Sequence, residues 1–375
     1  MKTAAKIFLY ISLALVAVWI LPWAWRIATL KSYSTPFTLY SCVIHDFTSL
    51  DRTDNNELTF IDRNGNVHSD EVQPLFYGRV LNNKGMLPDT LNGRPVTLAL
   101  IDSMNVTFSA RPSDFNKKDI PVCLFMESVP VRMELQDPED AFVIRKDGIV
   151  LYDITQNTLE EEKTKAFSNA LASEGFVFPV VKYSGNPSHH KSYDEGYLLI
   201  DSAGNLFQMK QVDGEPFARR FTQADGINVK YVCITELSSK AILGWFTDDS
   251  DNMYFLHPNG QVVRTEVKYN PSKESLLGVG DLFYYTIKTS DDDGEHFYAL
   301  DADDFSLVDT MDRPYEFEDE FNLCEYIFPC RLYFTSSKEE WVRPHFTDFS
   351  WIGLIVDLIA AGFVIFLRRR HKSHR

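Results

Sequence analysis

The chain has 375 residues, 45% of them apolar and 14% aromatic, and a formal net charge of −16. The acid is concentrated in the middle, where residues 27–348 hold 29 basic and 52 acidic side chains. This balance excludes nucleic acid as a partner, because phosphate binding needs a basic face, and it suits a solvated surface better than a dedicated cation or basic-peptide site.

Residues 1–6 are a short tail carrying Lys2 and Lys6. Residues 7–25 (IFLYISLALVAVWILPWAW) are apolar throughout, and about 20 such residues cross a bilayer core. A basic start also suits a signal peptide, but the run exceeds an ordinary signal core and no A-x-A-like site follows. Trp19, Trp23 and Trp25 stand where an interfacial belt holds a retained helix. The first cysteine is Cys42, so no lipidation box lies near the start.

Residues 26–348 read as an extracytoplasmic β domain. They are rich in Phe and Tyr, alternate apolar with polar residues, and are punctuated by Asn/Asp-Gly turns. One pattern recurs, an apolar run, a polar turn and a second apolar run. It spans 58–68, 98–108, 141–153, 197–209, 253–265 and 297–309. Its tips, Gly65, Asn105, Gly148, Gly204, Gly260 and Asp304, are 40, 43, 56, 56 and 44 residues apart. Such tips supply the positive φ of tight hairpins, and the spacing is that of four-stranded propeller blades. The expected fold is mainly β, an irregular propeller of about six blade-like units, with a β-sandwich as the alternative.

One helix is expected at 158–174, with Thr158 and Glu161 as a capping box and Gly175 as its stop. The polar stretch 184–194 (SGNPSHHKSYD) reads as an exposed loop and a candidate site. Its His189 and His190 are adjacent, and neighbours on an extended chain point apart, which disfavours a shared metal. Acidic clusters at Asp248, Asp249 and Asp251, at Asp291, Asp292 and Asp293, and at Asp301, Asp303 and Asp304 fit hairpin tips. None closes with the Glu of an EF-hand loop. Among five cysteines, Cys324 and Cys330 are close enough in sequence for a possible disulfide; Cys123 and Cys233 sit in apolar runs and read as core.

A second apolar run fills 349–367, interrupted by Asp357, and the tail 368–375 holds Arg368, Arg369, Arg370, Lys372 and Arg375. Basic flanks belong inside, so both termini are expected in the cytoplasm and the β domain outside it. An ionisable residue inside a span is a functional hypothesis by default. Asp357 is therefore the expected contact with an integral membrane partner, aided by the small residues Gly353, Ala360, Ala361 and Gly362.

The bookended spans, the segment PLFYGRVLNNKGMLPDTLNGRP at 74–95, RPSDF at 111–115 and the blade-like hairpins resemble an uncharacterised family of two-span bacterial envelope proteins associated with genes for ABC-type transporters. The resemblance implies an accessory role beside a transporter permease in the bacterial inner membrane, and carries over no catalytic residue. The chain has no H-E-x-x-H, G-x-S-x-G, phosphate-loop or dinucleotide motif. The expectation is a non-enzymatic accessory or sensing subunit without cofactors. The alternatives are an envelope hydrolase or lyase working in a propeller channel, or an inert scaffold.

Overall fold

The computed structural model describes residues 2–29, 35–52, 58–118, 120–129, 135–315, 323–334, 338–339 and 341–373. Seven α-helices are α1 (Lys2–Thr29), α2 (Gly78–Asn83), α3 (Leu98–Met104), α4 (Pro112–Phe115), α5 (Glu161–Ser173), α6 (Leu323–Ile327) and α7 (Trp351–Ser373). Two compact units result. Pro36–Pro314 form the β unit, and the terminal segments Met1–Thr35 and Tyr315–Arg375 form the other. The β unit is shorter than the expected 26–348, because the chain from Tyr315 onward clusters with the terminal helices.

The β unit is built from antiparallel meanders in which sequence order is spatial order. The first sheet runs over Phe37–Ser41, Asp46–Arg52, Leu58–Asp62 and Val67–His68. The second comprises Val122–Phe125, Asp140–Arg145, Gly148–Asp153 and Thr158–Leu159. The third comprises Lys182–Gly185, Tyr197–Ile200, Leu206–Val212 and Glu215–Arg220. The fourth comprises Val229–Ile234, Gly244–Asp248, Asn252–Leu256 and Val262–Lys268. The fifth comprises Ser275–Gly280, Tyr284–Ser290, Gly294–Asp301 and Leu307–Pro314, with Val106–Ala110 added beside Ser275–Gly280.

Hydrophobic packing joins these sheets in series. Phe142 and Leu151 of the second sheet meet Tyr197 and Leu199 of the third. Leu198 and Ile200 on the third sheet's other face meet Phe246 and Tyr254 of the fourth. Trp245, Met253 and Phe255 then meet Phe108, Tyr285 and Ile287 of the fifth. Tyr40 and Phe47 of the first sheet pack on Phe297 and Ala299 of the fifth. The third and fourth sheets therefore bury both faces, which is why YLLI and NMYFL are buried at every position. A half-solvated antiparallel strand would alternate instead.

Five of the six expected hairpins are present. The exception is 98–108, where LALIDSM forms α3. Leu98, Ile101 and Met104 recur at helical spacing, and Thr97 accepts the Leu100 N–H as N-cap at 3.2 Å. Val106–Ala110 then pairs with the distant Ser275–Gly280 rather than with a local strand.

The inserted helix starts later than the expected 158. Thr158–Leu159 pairs with Tyr152–Asp153, so the Thr158–Glu161 capping box does not form, and Glu160 is the N-cap without a side-chain bond. The stop is as expected. Gly175 takes φ +84°, its N–H reaches Ala172 O and the Phe176 N–H reaches Leu171 O, a Schellman ending. Phe167 and Leu171 bury the helix between the second and third sheets.

The other unit pairs Arg331–Tyr333 with His345–Thr347 and sets Trp19 of α1 edge-on to Phe334 at 4.9 Å. No disulfide joins Cys324 and Cys330, the possible pair, in this structure. α1 is the described helix long and apolar enough to cross a membrane, as a retained anchor or a signal sequence would be. The apolar part of α7, Trp351–Leu367, is shorter, about 25 Å at 1.5 Å per residue against a hydrocarbon core of about 30 Å.

The added strand requires glycine at its partner. A Cβ on Gly278 would lie 2.2 Å from the Phe108 ring. Gly278→Ala should lower stability by about 1–3 kcal/mol. The cost should shrink in a Phe108→Leu background, read as a double-mutant cycle in urea melts of the purified protein.

Candidate functional site

A buried polar centre of the β unit lies where the loop after Lys182–Gly185 meets the loop before Gly244–Asp248. Lys191 forms ion pairs with Glu236 and, at 2.6 Å, with Asp194. Glu236 also accepts the Glu195 N–H at 2.8 Å and the Asn186 amide at 2.9 Å. Asp194 accepts the Gly196 N–H at 2.7 Å. Burial pushes both carboxyls above their ordinary range, against the downward pull of Lys191.

A second layer continues outward along the third sheet. Glu195 takes Lys210 at 2.8 Å and Gln208 at 2.9 Å, and Gln208 accepts from Arg219 at 2.7 Å. Burial lowers the Arg219 guanidinium from its ordinary value, with Glu195 opposing. Tyr193 donates to Leu237 O at 2.6 Å beneath the Lys240 ammonium, 4.3 Å from its ring.

Half of the polar stretch 184–194 is thus turned inward. Its exposed part carries His189 and His190, whose rings lie 3.9 Å apart, with His189 Nδ1 3.1 Å from Asp137. The chain bends at these residues, so the opposed directions expected of an extended strand do not hold. Among the described residues, no group of three or more His, Cys, Asp or Glu side chains is placed to hold a metal.

The acidic clusters contribute to turn geometry. In Asp62–Asn66, Asp201–Asn205 and Asp248–Asn252 the first carboxylate accepts the N–H groups two and four residues on. It also takes the Asn side-chain amide at 2.7–3.1 Å. The fourth residue of each, Gly65, Gly204 or Asp251, has positive φ. This is the Asx-turn chemistry of hairpin tips, and the D-x-x-[GD]-N spacing is its signal in the sequence.

Two further carboxylates are deeply placed. Glu295 bridges Lys288 at 2.7 Å and Arg313 at 3.3 Å, and Arg313 ties the first sheet through Thr38 and Ser49. Asp281 accepts the Phe283 and Tyr284 N–H groups at 2.8 and 3.0 Å, and burial still raises it to about 6. Burial, together with the nearby Asp281, pushes the Cys42 thiol up to about 12. Sequence reading placed Lys191 and Asp194 in the candidate stretch 184–194 but did not bring Glu236 to them, and it did not single out Asp281; Glu236 lies about 40 residues along the chain, and only the fold gathers it with Lys191. Beside the first and fifth sheets, Thr38, Leu39, Val279 and Thr286 border a cavity of about 10 Å³, the size of one water.

In the terminal unit, Ser350 caps α7 by accepting the Gly353 N–H at 3.1 Å. A Cβ at Gly353 would stand 2.2 Å from Phe328 O, so this glycine admits α6's trailing turn. Asp357 lies one turn further along, exposed, and has no hydrogen-bond or ion-pair partner among the described residues.

Residues 37–300 match the family described as Domain of unknown function (DUF4857). The chain belongs to this family. The match opens at the first strand of the first sheet and closes at the third strand of the fifth, so the β unit is what the family shares. No curated protein matches the chain.

Among solved structures, the Dos1 propeller overlaps 76% of this chain and 62% of its own, at 9% identity and TM-score 0.28. Dihydro-heme d1 dehydrogenase NirN overlaps 66% and 60%, at 9% identity and TM-score 0.25. Apo AztD from Citrobacter koseri overlaps 77% and 78%, at 10% identity and TM-score 0.29. The chain thus spans less than two thirds of the first two. Overlaps at this level assign neither fold nor function to it.

Two outcomes follow from the buried charges. Lys191→Met leaves Asp194 and Glu236 buried without their cation and should cost about 3–5 kcal/mol near pH 7. The loss should lessen as pH falls and the carboxyls, raised by burial, take up protons, in urea melts across pH. Asp281 binds its proton more tightly folded than unfolded, so its contribution falls as pH rises from about 4 to about 6 and is flat above. Relative to Asp281→Asn, wild-type stability should drop by about 2–3 kcal/mol across that window.

Proposed function

We propose that this protein is a non-enzymatic accessory or sensing subunit anchored in the bacterial inner membrane. Both termini lie in the cytoplasm, and the β unit lies outside, where it binds a ligand or partner protein. One observation carries this reading. From Thr3 to Thr29 of α1 only Pro22 is buried, and residues such as Phe8, 74% exposed, face outward. Water does not tolerate a continuous apolar surface of that size, whereas lipid is its natural neighbour.

α7 is the second span in this reading. Its apolar stretch is at the short end of the spanning range and ends in a run of arginines that favours the cytoplasmic side. The five meanders, packed face to face in series, fit an irregular propeller of five blades rather than six. The non-enzymatic assignment draws support from the buried acids. Asp194, Glu236, Glu195 and Glu295 are each engaged by Lys191, Lys210, Lys288 or Arg313. An ABC-type transporter is the preferred partner complex, on the resemblance carried by segments 74–95 and 111–115.

The test uses full-length protein with a carboxy-terminal tag in its native membranes. It should resist alkaline extraction, and external protease should digest the β unit while sparing the tag. After mild detergent and cross-linking, a multi-span membrane protein should co-purify in near-stoichiometric amount. Release of the β unit into the soluble fraction with residues 1–29 removed, or purification of the chain alone, would overturn the proposal.

A further inference from the structure

On the reading of α7 as a membrane span, we propose that Asp357 pairs with a lysine or arginine on a membrane-spanning helix of a different protein. Asp357 sits six residues beyond Trp351, about 9 Å into the helix at 1.5 Å per residue. A carboxylate at membrane depth costs about 2.5–3.5 kcal/mol on the insertion scale unless something compensates it. Nothing described in this chain does. Asp357 has no hydrogen-bond or ion-pair partner among the described residues, and α1 carries charge only at Lys2, Lys6 and Arg26, near its two ends.

The surroundings of Asp357 are shaped for a close neighbour. At about 100° per residue, Gly353, Ala360, Ala361 and Val364 all fall within about 60° of Asp357. Gly362 falls about 140° away, on the opposite side, and does not belong to this face as the sequence suggested. Gly353 is already filled by the Phe328 carbonyl, which pins the outer end of α7 and sets its rotation. Below that contact the face is open: every residue from Leu354 to Leu367 is exposed. A second helix can therefore approach along the two alanines with its cation opposite Asp357. A second copy of this chain would bring carboxylate against carboxylate, which like charge disfavours.

The test reconstitutes the full-length protein in phosphatidylcholine vesicles with a labelled Leu/Ala transmembrane peptide carrying one lysine about six residues from one end. Energy transfer to a fluorophore on the carboxy-terminal tail measures association. The lysine peptide should associate at least fivefold more strongly than the same peptide with leucine or aspartate there. Asp357→Leu should abolish that preference, and Asp357→Asn should retain part of it. Equal association of lysine and leucine peptides, or a preference that survives Asp357→Leu, overturns the inference. Self-association of the chain that outcompetes the lysine peptide also overturns it, in favour of a homodimer. A fluorophore at Ile359, quenched by brominated lipid, separates the two levels. Quenching without lysine preference sinks this pairing alone, and absence of quenching sinks the membrane placement of α7 with it.

Discussion

The central strands Tyr197–Ile200 of the third sheet and Asn252–Leu256 of the fourth have no face left for water, and the packing of the β unit follows from that. A sheet buried on both sides needs a sheet or helix against each. The third finds the second sheet and α5 on one side and the fourth on the other. The fourth finds the fifth, and the fifth supports the first through Tyr40, Phe47 and Phe297. Burying apolar area at about 25 cal/mol per Å² is the dominant favourable term. Aromatic contacts between successive sheets, such as Phe142 on Tyr197 and Phe255 on Phe108, contribute to that term. Glycines serve the same demand where strands approach closely, as Gly278 does beneath the Phe108 ring.

The acid of the chain divides between two uses. Carboxylates at hairpin tips organise backbone amides, and Asp62, Asp201 and Asp248 do so with nearly identical geometry. More deeply placed carboxylates pair with cations: Asp194 and Glu236 with Lys191, Glu195 with Lys210, Glu295 with Lys288 and Arg313. A buried pair is a weak source of stability but costly to break, and Lys191 with Glu236 joins the loop after Lys182–Gly185 to the loop before Gly244–Asp248. Arg313 makes the point, reaching from the end of the fifth sheet to Thr38 and Ser49 of the first.

The terminal unit follows different physics. Most apolar side chains of α1 and α7 are exposed, and internal contacts include Trp19 on Phe334 and Gly353 on Phe328. On the membrane reading proposed above, that arrangement suits segments whose solvent is lipid, and Asp357 is the charged residue within α7's apolar stretch.

Hairpins centred on Gly65, Gly148, Gly204, Gly260 and Asp304 were legible in the sequence because their determinants are local. A polar turn lies between two apolar runs in each, and Gly65, Gly204 and Gly260 take the positive φ expected of the tip, while Gly148 and Asp304 do not. The Gly175 stop of α5 was legible for the same reason. The 98–108 segment was misread because its apolar residues satisfy both a strand and a helical spacing, and the distant partner Ser275–Gly280 decides. Thr158 was misread because a strand partner competed with a cap. The sequence alone determined the turns, the acidic surface, the apolar ends and the anomaly at Asp357, all properties of neighbouring residues. Only the tertiary structure decided which sheets stack, that Lys191 closes on Glu236 and Asp194, and which small residues share a face with Asp357. Those depend on groups far apart in the chain or on the rotation of a packed helix, and local spacing encodes neither.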